Sequence, residues 1–244
     1  MAVAAHLVQV GEAMNMAGVG TDEQMIGLFE KAKRIWDGEY GEGQHVATAR
    51  CLVGIGERYN VPGRRITDHP KALEYGREAL AVVQRSGKGG GIEEARPLQL
   101  IGAAHWRLKQ WDEALAHYQR QLRLLLDHHG EEGAKRVAEV AEAYRMVGVI
   151  YRNGKGDYER ALEQYMKAVP VAEEATGKLS STTGTLCNNI ASAYQGQQRW
   201  AESVPWWERA VAAYTFTYGA EHEQYTKDAQ KWLEKDMERA AKQT

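Results

Sequence analysis

Proline is scarce in this chain, with 5 residues in 244, so long stretches are free of the ring that interrupts a helix. Runs of β-branched residues are nearly absent, which removes the usual material of strands. No segment approaches the roughly 20 consecutive apolar residues that a membrane-crossing helix needs. An excess of charge is missing as well. The net charge of −2 excludes a dedicated nucleic-acid binder, which carries a strong basic surplus. Only two cysteines occur, Cys51 and Cys187, far apart and without metal-ligand spacing. Free thiols in a reducing compartment are therefore expected. The start of the chain, Met1 to His6, lacks the charged lead and apolar run of a secretion signal. A soluble, cytoplasmic protein is the expectation.

What is abundant points one way. Ala, Glu, Leu, Gln and Arg dominate, and these residues, Ala and straight-chain side chains above all, favour helix. A hydrophobic fraction of 43% is enough for a folded core.

The sequence repeats itself. A large apolar residue, a small one and, three further on, a bulky one recur five times. The copies are Val10-Gly11…Met14, Ile55-Gly56…Tyr59, Ile101-Gly102…His105, Val147-Gly148…Tyr151 and Ile190-Ala191…Tyr194, with the small residues 45, 46, 46 and 43 positions apart. A second pattern follows each copy, as Ala72…Gly76…Ala79, Ala114…Tyr118…Gln121, Ala161…Tyr165…Ala168 and Ser203…Trp207…Ala210, with a weaker match at Met25…Phe29…Ala32. Spacings of three and four place these residues on one helical face. Small residues there let two helices come within about 8–10 Å of each other, and the aromatics fill the space beside the crossing. Each unit is thus a helical hairpin whose inner face needs a neighbour.

Turn signals separate the helices: Gly18 to Asp22, Asn153 to Asp157 and Gln197 to Arg199. The segment Asn60–Pro70 is a longer insertion, with Pro70 suited to the first turn of the next helix. Ser86 to Gly91 reads as the most flexible join. Residues 221–241 read as one more helix with a charged outer face, a solvated cap. The expected architecture is a single all-α domain over 1–244. It is a right-handed α-solenoid of five hairpins (3–38, 44–87, 94–130, 137–177, 181–218) and a capping helix (221–241).

These residues resemble tetratricopeptide repeats. Trp111-Asp-Glu-Ala-Leu-Ala-His-Tyr118 and Asp157-Tyr-Glu-Arg-Ala-Leu-Glu-Gln-Tyr165 are similar to the family's second-helix signature. The period is longer than the usual ~34 and resembles that of the kinesin-light-chain-like subclass. Tyr40 to His45 and Tyr218 to His222 are similar to that subclass's glycine-to-histidine joint, and Leu186 to Ala191 to its paired asparagines. The chain departs from the pattern at Gly76, at Gln121 and at Pro205, which is expected to kink the fifth second-helix. It also lacks the heptad coiled coil of a light chain.

The resemblance implies a concave groove lined by the first helices that grips a peptide or helix. Positions six and three before each anchor Gly or Ala, and one, four and five after it, should face that groove. They present Arg50, Arg96, Gln99, Trp106, Arg107, Arg145, Arg152 and Asn153 in the middle, and Thr185, Asn188, Ser192 and Gln195 towards the end. Five Arg stand against three Glu (Glu12, Glu57, Glu142) over these 25 positions. Arg pairs bidentately with carboxylates and stacks on aromatics, Trp106 offers an apolar anchor, and Asn188 can grip a peptide backbone. An acidic or acidic-aromatic segment is the expected ligand, against the plainer reading of solvated arginines and a Trp106 that belongs to the core. No groove position is Lys, which argues against a lysine clamp for a chaperone's terminal carboxylate.

Other signals carry less. His128-His129 point about 100° apart on a helix and rarely share an ion, so no metal is expected. Gly87 to Gly91 lacks the lysine and hydroxyl of a phosphate loop. Cys187 has no base nearby in sequence and reads as structural, while Ser180 to Thr183 reads as a helix start. Trp206 packs against the last helix or forms an exposed patch. The expectation is a non-catalytic adaptor or scaffold without cofactors. A fixed subunit of a large complex is the first alternative and a peptide sensor or enzyme the second.

Overall fold

A computed structural model describes residues 2–243, and among these residues all regular structure is helical. The chain falls into two compact units, residues 1–124 and 125–244.

The first unit holds α1 (Ala2–Ala17), α2 (Asp22–Tyr40), α3 (Val46–Asn60), α4 (His69–Val83), α5 (Ala95–Arg107) and the first part of α6 (Trp111–Ala134). The ends are set by local chemistry. Thr21 caps α2 through a reciprocal capping box with Gln24, which satisfies two backbone donors at once. Asp68 caps α4 by accepting from the Lys71 amide, and Pro70 sits in the first turn as expected. Phe29 of α2 is buried with Ala4, Val8, Cys51 and Ile55, wedged between Gly11 and Gly54 where any Cβ would meet its ring. Burying such a ring contributes about 1.5–3 kcal/mol. Gly76 departs from the pattern for a steric reason: a Cβ there would lie 2.8 Å from Ile101 Cγ1 of α5.

The join at Ser86–Gly91 is tethered. It contains a π turn (Gln84–Lys88) and leads into a short 3-10 turn (Ile92–Glu94). Glu94, 1% exposed, accepts from the Gly90 amide at 3.0 Å and pairs with Arg120. A buried carboxylate so held ties the glycines to α6, which the sequence alone did not disclose.

The second unit holds the rest of α6, then α7 (Ala138–Lys155), α8 (Tyr158–Thr176), α9 (Ser181–Gly196), α10 (Trp200–Tyr218) and α11 (Asp228–Ala241), the last entered through a π turn (Glu223–Lys227). Gly148 of α7 meets Tyr165 of α8 so closely that a Cβ would lie 2.5 Å from the ring. The small-against-aromatic pattern thus works as the spacing predicts. Burial pushes the Tyr165 phenol up to about 12. Three joints share one backbone: Gly41 (φ 91, ψ 150), Gly177 (φ 95, ψ 154) and Gly219 (φ 90, ψ 159) each follow a 19-residue helix. That region is open essentially to glycine alone.

Pro205 does not interrupt α10, nor does Pro170 interrupt α8. Ala201, whose carbonyl loses its partner, lies on the exposed side with Pro205, so the group is not stranded in the core. Cys51 and Cys187 are free and buried, and burial raises their thiols to about 12 and about 11, which makes them inert packing groups. His128 and His129 stand just before a break in α6 at Gly130 (φ 66, ψ 171). Trp206 packs against a core that includes Cys187, Trp207, Tyr214 and Ala229.

In both units successive hairpins stack in chain order, α2 on α3 and α4 on α5, then α8 on α9 and α10 on α11. This is the all-α solenoid arrangement.

Candidate functional site

The first helices of each unit carry the expected groove residues, and none of the twelve, from Arg50 to Gln195, is buried. Their chemistry differs from a bare basic groove.

In the first unit, Arg50 donates to both oxygens of Glu12 at 3.2 and 3.0 Å. Arg96 donates to Glu12 at 2.7 Å and to Glu57 at 3.1 Å. Two guanidiniums and two carboxylates from α1, α3 and α5 therefore form one neutral network. Burial opposes ionisation of Glu12, but Arg96 and Arg50 outweigh it and hold its carboxyl below the usual range. Trp106 is half-buried, with the Arg107 guanidinium 4.4 Å from its ring centroid and its indole N–H enclosed without an acceptor. One face of the indole is already occupied, so Trp106 is a covered side chain rather than an open anchor. Among the described residues Gln99 has no polar partner.

In the second unit, Arg145 binds Glu142 through two parallel bonds of 2.7 and 2.6 Å. The arginine surplus of the sequence is thus largely neutralised, because the three groove glutamates lie within reach of Arg50, Arg96 and Arg145. Arg152 differs. It donates to Asn153 Oδ1 at 3.0 Å and to the Asn189 carbonyl at 3.5 Å, and among the described residues no carboxylate pairs with it. Asn188 and Ser192, half-exposed on α9, have no internal hydrogen-bond partner among the described residues. Gln195 is occupied: its amide donates to Asp236 Oδ1 of α11 at 3.0 Å.

Glu142 and Arg145 of α7 and Ser181, Thr182 and Thr185 of α9 line, with Tyr218 and Tyr225, an open cavity of 230 Å³. The Tyr218 and Tyr225 rings stack at 4.7 Å, and Tyr214 and His222 join them. The wall therefore offers aromatic surface, a fixed ion pair and hydroxyls, which suits one side chain and a stretch of peptide backbone. Sequence reasoning found Glu142, Arg145 and Thr185 by their register but missed Tyr218 and Tyr225. Tyr218 ends α10 and Tyr225 lies in the π turn beyond it, about which the first-helix register says nothing.

Among the described residues there is no cluster of three or more His, Cys, Asp or Glu side chains able to hold a metal, and no helix is long and apolar enough to cross a membrane.

Comparison with known proteins agrees with this architecture. Tetratricopeptide-repeat profiles match residues 64–127 and 183–224. The chain is 27% identical over 214 residues to Protein KINESIN LIGHT CHAIN-RELATED 2 of Arabidopsis thaliana, covering 84% of this chain but 30% of that protein. The chain thus spans under a third of that relative's length. Among solved structures it is similar to BtubC (BKLC) from P. vanneervenii, with TM-score 0.70, 18% identity and 91% of this chain over 85% of that one. It is also similar to a Rap protein complexed with Competence and Sporulation Factor, with TM-score 0.66, 15% identity and 95% of this chain over 64% of that one.

Proposed function

Because this chain is a tetratricopeptide-repeat protein of the kinesin-light-chain-like kind, we propose that it is a non-catalytic adaptor that holds a peptide segment of a partner on the first-helix face of its second unit. The observation that carries this reading is the 230 Å³ cavity in which α7 and α9 meet Tyr218 and Tyr225. Asn188 and Ser192 lie on the same helix as Thr185, ready for a peptide backbone. Arg152, without a carboxylate of its own, faces an acidic residue of the ligand. The paired arginines of the first unit contribute positioning there rather than net attraction, since exposed networks of this kind are worth about 0.2–1 kcal/mol per pair.

The test is charge reversal at Arg145 and Arg152, measured against the captured partner. A loss of at least tenfold in affinity, about 1.4 kcal/mol, supports the reading, and a smaller loss overturns it. A peptide-sensing role is the second reading, favoured by the likeness to a structure solved with a bound factor.

A further inference from the structure

The internal repeats act as a control for one another and single out a second surface. Each of the five second helices leads into a positive-φ glycine: Gly41, Gly87, Gly130, Gly177 and Gly219. Three positions before these glycines stand Gly38, Gln84, Asp127, Glu174 and Phe216; two positions after them stand Gly43, Gly89, Glu132, Leu179 and Glu221. Thus Phe216 and Leu179 are bulky and apolar where every sister repeat has glycine or a polar side chain. The fold does not require them. Phe216 is 74% exposed and Leu179 43%, although Phe is one of the rarest residues here, with 2 in the chain.

The two out-of-pattern side chains come together. They line one open cleft of 710 Å³ with Gly177, Lys178 and Thr217. Thr217 Oγ1 donates to the Leu179 carbonyl at 3.1 Å, which fixes the joint against α10 and holds the cleft's shape. Lys178 is the single ionisable residue in its lining, and among the described residues it has no ion-pair partner. Around Phe216 the exposed surface is neutral: Ala212, Thr215, Gly219 and Ala220.

We infer that this cleft is a second docking site, meeting the first-helix cavity only at Ser181, for a partner segment with a bulky apolar side chain beside a carboxylate. The apolar side chain packs on the exposed surfaces of Phe216 and Leu179 along this open cleft. The carboxylate meets Lys178, the one charge available to select it. A second copy of the chain is a poorer occupant, because a stable interface needs about 20–30 residues a side and this neutral patch supplies a handful.

A random 12-residue phage peptide library, precleared on the Phe216→Glu protein and then panned on the full chain, tests the inference. Phe216 is exposed, so that variant should retain the wild-type circular dichroism. Peptides sharing a bulky apolar residue next to Asp or Glu should emerge. Their affinity should fall at least tenfold with Phe216→Glu or Lys178→Glu and stay unchanged with the Arg145/Arg152 reversal. No enrichment, or a consensus without a carboxylate, overturns the inference. A dimer that Phe216→Glu dissolves overturns it too, by making a second copy the occupant.

Discussion

Replacing Asp236 should loosen the last helix more than any change of similar size on the surface. Its carboxylate is fully buried in the second unit. It accepts from Ser203 Oγ at 2.7 Å and Trp207 Nε1 at 3.0 Å on one oxygen, and from Gln195 at 3.0 Å and Arg239 at 3.5 Å on the other. Ser203 keeps a second partner in the Trp200 carbonyl at 2.8 Å, but the Trp207 indole has none. Hydrogen bonds to a charged group contribute about 1.5–3 kcal/mol each, and a stranded buried donor costs about 1–3 kcal/mol. Asp236→Ala should therefore cost about 3–5 kcal/mol, the range for removing one partner of a buried charged set. Asp236→Asn should cost about 2 kcal/mol, because the amide can keep its oxygen on Ser203 and Trp207 while Gln195 flips to accept from its NH2. Urea unfolding of the full chain reads the global loss, and hydrogen exchange in α11 detects detachment of that helix alone. If Asp236→Ala costs under about 1 kcal/mol and leaves α11 exchange unchanged, the carboxylate is not what seats the helix.

Two further perturbations follow from the same structure. Gly177→Ala should cost about 1–3 kcal/mol in strain alone, since φ is 95° there and nothing lies within 4 Å of the added methyl; an unchanged urea midpoint would contradict this. His117 is held below its ordinary 6.5 by burial first, then by His105, Arg120 and Arg77 against Glu113. The folded state therefore favours the neutral ring, and the unfolded chain takes up the proton at higher pH. Stability should decline as pH drops below 6.5 and keep declining until the folded-state ring protonates as well. His117→Gln should flatten that slope between about pH 7 and 5, although His69, lowered mainly by burial, preserves part of it. A slope unaltered by the substitution would remove His117 from the account.

The helices were legible because their cause is local. The Gly148–Tyr165 and Gly102–Tyr118 contacts follow from spacings of three and four within helices, and the cap at Ser180 from a hydroxyl beside a helix start. Two further features also have local causes: Pro205 lies in an unbroken α10 with its lost bond facing solvent, and the glycine join after Ser86 gains a tether where Glu94 accepts from the Gly90 amide. The candidate site was legible only in part, because its energetics are long-range. Register gave Arg50, Arg96 and Arg145, but Glu12 meets Arg96 across 84 positions, so the neutral network had no sequence signature. Likewise Gln195 looked available until Asp236, 41 positions on, claimed it. Tyr225 lies outside every first helix, in a π turn within the stretch 221–241 that reads from sequence only as a solvated capping helix.

The central claim is that the partner lies on the first-helix face of the second unit. A photo-crosslinking residue placed at Asn188 or Ser192, with a control at Glu163 on the exposed side of α8, tests it most directly. The account predicts one partner crosslinked from Asn188 and Ser192 and none from Glu163. Crosslinks from Glu163 with none from α9 would contradict it and move the adaptor's working surface to the second helices.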